Sequence, residues 1–163
     1  MMQFRVIKKI ITEDFIMHNI KTIEKLLKDE LSATETYQQA LEKFRLPGGQ
    51  FVANSLTPIL GAHKGAVSSL EALMTKLGGT PQKGTGVWGS WAKLILEGAS
   101  LLGKQSAIKV LLEGEKSGEG DYEAALKDTT LSSEARTLIE TKLLPAQQSH
   151  IRSLDRLLDA TPA

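Results

Sequence analysis

The sequence predicts an all-α fold: a four-helix bundle of two antiparallel hairpins joined by a long crossover that contains a short helix. Three observations carry this. Four segments repeat apolar residues at steps of three and four. Short polar stretches, "LPGGQ" (46–50) and "DTTLSS" (128–133), join the first pair and the last pair. The connection from Gly78 to Gly103 is instead far longer than neighbouring helices need, and long enough to travel the length of a bundle. The composition agrees, with aromatics at 5% and leucine, alanine and glutamate common.

The first helix is expected from about Asn19 to Arg45, with Ile20, Ile23, Leu27, Glu30, Thr34, Tyr37 and Leu41 in line. Residues 1–18 read as an N-terminal extension, either disordered or a short amphipathic helix, ahead of a bundle domain over 19–160. Glu13 and Asp14 interrupt its apolar residues before a signal core or a membrane span could form, and Met17 offers an alternative start of translation. The second helix should run from about Phe51 to Leu77, with Leu56, Leu60, His63, Val67, Leu70, Met74 and Leu77 on one seam. Glycines and prolines in "GGTPQKGTGVWG" mark a loop, and "SWAKLILEGASLL" reads as the short helix of the crossover. The third helix covers about Lys104–Lys127, with Ile108, Leu112, Glu115, Glu119, Tyr122 and Leu126 aligned. Ser132 or Ser133 is the expected N-cap of the fourth, which runs to about Asp159 through Ile139, Leu143, Gln147, His150, Leu154 and Leu157.

Charge and composition exclude several classes. A net charge of +1 with cations dispersed among acids gives no case for nucleic acid or an anionic membrane. No stretch could span a bilayer. With no cysteine there is no disulfide, thiolate metal site or cysteine nucleophile, which fits a cytoplasmic location. Gly78, Gly79, Gly84, Gly86 and Gly89 follow no strand and form no phosphate-binding fingerprint. Trp88 and Trp91 either plug one end of the bundle or face a second subunit; a homodimer is compatible with the sequence, and no other protein partner is indicated.

The two hairpins resemble each other in sequence. "LLKDELSATETYQQAL" (26–41) aligns without gaps on "LLEGEKSGEGDYEAAL" (111–126), with seven identities in sixteen positions. Leu56, Pro58, His63 and Leu70 correspond to Leu143, Pro145, His150 and Leu157. An internal duplication would give a bundle with a pseudo-two-fold axis.

The informative residues are polar and sit on the apolar seams. Glu30, His63, Glu115 and His150 put one carboxylate or imidazole on the inner face of each helix. Counting from the tight turn, Glu30 and His63 differ in height by about 5 Å. Burying lone charges is costly, so these groups require one another or a cation. Two carboxylates and two imidazoles suit iron, manganese or zinc. Pro58 and Pro145 each precede a histidine by five residues. Pro58 either kinks its helix or lies near its start, whereas Pro145 should kink, because the apolar period continues upstream of it.

"DELSATETYQQAL", "LGGTPQKGTGVWGSW", "LLEGEKSGEGDYEAAL" and the histidine opening "HIRSLDRLL" together resemble the ferritin-like superfamily over about residues 19–160. Within it the chain is similar to a branch of bacterial proteins known as a domain of unknown function. The resemblance implies a metal site with Glu30 and Glu115 as the single glutamates of the first and third helices, and His63 and His150 as the histidines of the second and fourth. The family pattern also places a glutamate three residues before each histidine. Here Leu60 and Gln147 stand at those positions, so the two residues expected to bridge a pair of metals are missing. Glu119, one turn from Glu115, could add an oxygen, while Thr34 at the matching place is a poor ligand. Two functions follow as expectations. One is a metal-binding ferritin-like protein, linked to iron handling or oxidative stress and, if an enzyme at all, a metal-dependent oxidoreductase. The other is a non-enzymatic bundle with a metal-free Glu/His network, acting as a structural or interaction protein.

Overall fold

The computed structural model describes residues 2–81, 83, 97 and 103–162. It is all-helical: α1 (Met2–Phe44), α2 (Gln50–Lys76), α3 (Lys104–Lys127), α4 (Ser133–Leu138), a π-helical turn (Ile139–Leu143) and α5 (Leu144–Ala160). The last three are successive parts of one rod, and no strand occurs among the described residues. Apart from Glu97, which is helical, the expected crossover helix lies outside the described residues, as do both tryptophans.

The start of α1 departs from the expected boundary. No break occurs at Asn19; the helix begins at Met2, so residues 2–18 form an arm continuous with α1. Phe4, Ile7, Ile11 and Phe15 are exposed on it. The remaining helices begin and end within a residue or two of their expected bounds.

Physical causes for the turns are visible. Gly48 adopts a φ of 85°, which favours glycine, and lets the chain reverse between α1 and α2. At the other hairpin Ser132 caps α4 by accepting from the Ala135 amide. Arg136 donates from its two terminal nitrogens to the carbonyls of Leu126 and Asp128, satisfying the end of α3. Asn19 then ties α1 to this turn, donating to the Thr130 carbonyl and accepting from the Ser132 amide. His18 Nε2 adds a hydrogen bond with Asp128 Oδ2 at 2.5 Å. Hydrogen bonds from His18 and then Thr130 hold the Asp128 carboxyl down at about 2.

α1 packs chiefly on α2, and α3 on α5, as two hairpins. The Lys104 ammonium donates to the Gly48 carbonyl, so α3 starts beside the α1/α2 turn. α2 ends at the opposite end, where Gly79 lies against Met74 and Ile20. The chain therefore leaves one end of the bundle and re-enters at the other. α1 and α3 run antiparallel: Glu30 and Tyr37 on α1 meet Tyr122 and Glu115 on α3, in reversed order.

Two apolar clusters fill the interior. One, around Leu41, Leu56, Ile108 and Leu154, lies toward the α1/α2 turn. The other, around Ile23, Leu70, Ile139 and Leu143, lies toward the α3/α4 turn. Between them sits a polar layer of Glu30, His63, Glu115, Gln147 and His150.

Candidate metal centre

Each residue of this layer reaches the core because it replaces an apolar residue in the helical period. Glu30 follows Ile23 and Leu27, Glu115 follows Ile108 and Leu112, and His63 lies between Ile59 and Ala66. The fourth rod needs more. Ala135, Ile139, Leu143 and Gln147 are all buried, and three successive steps of four would drift around an α-helix of 3.6 residues per turn. The π-helical turn over Ile139–Leu143 absorbs that drift. Its cause is next to it: Pro145 has no amide proton, and its ring crowds the carbonyl of Thr141, four residues back. The expected kink at Pro145 is thus a widened turn just before it. Pro58, in contrast, is accommodated well inside α2.

The four predicted residues meet. Glu30 is 5% exposed, His63 2%, Glu115 2% and His150 8%. His63 is central, with Nδ1 2.6 Å from Glu30 Oε2 and Nε2 2.9 Å from Glu115 Oε1. His150 Nδ1 lies 3.2 Å from Glu115 Oε2. The imidazoles are neighbours, their centroids 4.9 Å apart. Tyr37 donates to Glu115 at 2.5 Å, and Tyr122 donates to Glu30. Gln147 donates to the backbone carbonyl of Glu115 at 2.9 Å, using space left by Gly118, where an added Cβ would come within 2.5 Å of its amide nitrogen.

The electrostatics follow from this pairing. Burial alone would lower the His63 pKa, but Glu30 and Glu115, hydrogen-bonded to its two nitrogens, push it up to about 10. Burial alone would raise Glu115, but hydrogen bonds from His150 and His63 bring it down to about 2. Burial, reinforced by the adjacent carboxylates, pushes both tyrosine hydroxyls well above their usual value, so they remain proton donors. At neutral pH an imidazolium thus bridges two carboxylates.

Ligand atoms of His63, Glu115 and His150 lie within 4.8 Å of one another and could hold a metal ion. Glu30 stands outside that group, behind His63 on Nδ1. Glu119 is half-buried and also outside it. Leu60 packs half-buried against the apolar cluster, and Thr34 Oγ1 has no hydrogen-bond partner among the described residues. Two cavities flank the layer. One of about 30 Å³ lies between α1 and α3, and one of about 160 Å³ lies between α2 and the fourth rod.

The sequence showed the tyrosines only as members of the apolar seams of the first and third helices. Their reciprocal pairing, each serving the carboxylate of the other hairpin, requires the fold. Its trace was the sevenfold spacing shared by Glu30–Tyr37 and Glu115–Tyr122. The π-helical turn also left a trace, in the run of four-residue steps.

Residues 18–128, more than half of the chain, match the protein family described as Domain of unknown function (DUF2383), and the chain belongs to that family. No curated protein and no solved structure matches it. The matched segment contains Glu30, His63 and Glu115 but ends before His150. No helix among the described residues is long and apolar enough to cross a membrane.

Proposed function

We propose that this protein is a ferritin-like four-helix bundle that binds one divalent transition-metal ion (iron, manganese or zinc) through His63, Glu115 and His150. The carrying observation is the convergence of three ligand atoms within 4.8 Å, from three helices, inside an apolar core. Two imidazoles and one carboxylate form a donor set that these ions accept with coordination positions to spare. Glu30 supports the same reading. A carboxylate on the far nitrogen of a metal-binding histidine fixes its ring and raises its basicity, and Glu30 Oε2 lies 2.6 Å from His63 Nδ1. Tyr122 holds Glu30 in turn, and Tyr37 holds Glu115. An ion here takes the place of the proton on His63 Nε2.

One ion is favoured over two because the positions that would supply bridging carboxylates carry Leu60 and Gln147, and the Gln147 amide is committed to the Glu115 carbonyl. Without that negative charge, two cations held close together would repel each other uncompensated. No reaction is assigned.

A second reading rests on one observation: both nitrogens of His63 already face carboxylate oxygens, and both carboxylates also accept from tyrosines. Such a satisfied network can fix helix register with no ion. Metal analysis of protein purified without chelator or histidine tag separates the two. About one ion per chain, lost in the His63→Ala/His150→Ala variant, supports the metal reading. Metal-free protein whose melting temperature does not respond to Fe(II), Mn(II) or Zn(II) sinks it and leaves the network.

A further inference from the structure

We infer that the cation reaches this site between α1 and α3, through a mouth formed by Asp29 and Asp121 and closed by Lys25; this rests on the metal-binding reading above. Lys25 Nζ lies 3.0 Å from Asp29 Oδ2 and 2.7 Å from Asp121 Oδ1, bridging the two helices. Both aspartates line the 30 Å³ cavity, whose inner wall is Glu30, His63 and Glu115.

Three features mark this side as a path for a cation. Ala33 and Gly114 line the cavity, and their small size leaves room between the helices. Thr36 also lines it, 2% exposed, and its hydroxyl has no hydrogen-bond partner among the described residues. An unpartnered buried hydroxyl is costly, and here it offers an oxygen to an ion shedding water. The volume, enough for a water or two, admits a largely dehydrated ion but not a hydrated one.

The opposite cavity has the contrary charge. Between α2 and the fourth rod, the rim carries Lys142, and among the described residues the only carboxylate lining the cavity is the buried Glu30. A rim cation repels metal ions, whereas an acidic mouth backed by apolar walls concentrates them. Lys25 is 59% exposed, and ion pairs between such exposed groups are weak, so the bridge opens readily. It shields the acidic mouth at rest and is displaced by an incoming divalent ion.

The test is stopped-flow mixing of the full chain with Co(II), followed by its visible absorption, with stoichiometry and melting temperature read on the same samples. Asp29→Asn/Asp121→Asn should slow association about tenfold at low salt and flatten its ionic-strength dependence. Lys25→Gln should accelerate it, and Lys142→Gln should leave it unchanged, all at wild-type stoichiometry. Unchanged rates in both mouth variants, with normal final binding, overturn the path and leave the metal site standing. Acceleration by Lys142→Gln alone overturns it in favour of the other cavity. Wild-type protein that takes up no Co(II) overturns both the path and the site.

Discussion

The two hairpins of this bundle agree in one layer of the site and disagree in the next. On α1 and α3 the pattern is reciprocal, since Tyr37 serves Glu115 and Tyr122 serves Glu30. On α2 and the fourth rod the reciprocity fails. His63 contacts both carboxylates, while His150 contacts only Glu115. Leu60 and Gln147 differ as well, and the π-helical turn belongs to the second hairpin alone among the described residues. The helices that supply carboxylates thus match across the two hairpins, and those that supply imidazoles do not. Glu115 is left as the hub, with Tyr37, His63 and His150 on its carboxylate, while Glu30 has His63 and Tyr122.

The largest test of this asymmetry is removal of each carboxylate. Glu115→Gln should destabilise the metal-free protein by about 3–5 kcal/mol, the usual cost of stripping a buried partner from its charge. Glu30→Gln should cost less, about 2–3 kcal/mol, since fewer groups depend on it. Equal losses in urea unfolding would mean that Glu115 is no hub.

The pH dependence follows from the same pair. The folded pKa of His63 is raised from 6.5 to about 10, so its contribution is complete below 6.5 and is lost as the pH rises toward 10. That of Glu115 is lowered from 4.5 to about 2, so its contribution is complete above 4.5 and is lost as the pH falls toward 2. The melting temperature of the metal-free protein should therefore peak between about 4.5 and 6.5. Glu30→Gln should flatten the alkaline limb more than the acid one, and a profile still falling steeply above neutrality in that variant would contradict the pairing.

Smaller effects probe the symmetric layer and its flank. Tyr37→Phe and Tyr122→Phe should each cost about 1–3 kcal/mol and should match within about 0.5 kcal/mol if the reciprocal relation holds, the error within which independent sites usually add. Gln147→Leu should cost about 1 kcal/mol, the net worth of one hydrogen bond, and Leu60→Met almost nothing. A Gln147→Leu variant as stable as wild type would show that its amide contributes nothing to the asymmetry.

Much of this was readable before folding. Helix positions followed from the apolar period, and Glu30, His63, Glu115 and His150 stood out because they interrupted it. What the sequence could not give was which nitrogen met which oxygen. Stripe position fixes the face a residue occupies, but a hydrogen bond depends on ångström-scale differences in height and rotation between helices. Glu30 and Glu115 hold equivalent places in the aligned hairpins, and only the fold puts one behind His63 and the other in the group of three that could hold an ion. The apolar period marked only the part of α1 that enters the core; the bulky apolar residues of the arm are exposed, and helical continuity through Asn19 does not depend on burial.

The central claim is a single-ion site centred on Glu115, and equilibrium dialysis against Co(II) tests it most directly. Wild type should bind one ion per chain, Glu115→Gln none, and Leu60→Glu/Gln147→Glu, which restores a carboxylate before each histidine, two. Wild-type stoichiometry of zero or of two, or full binding by Glu115→Gln, would contradict it.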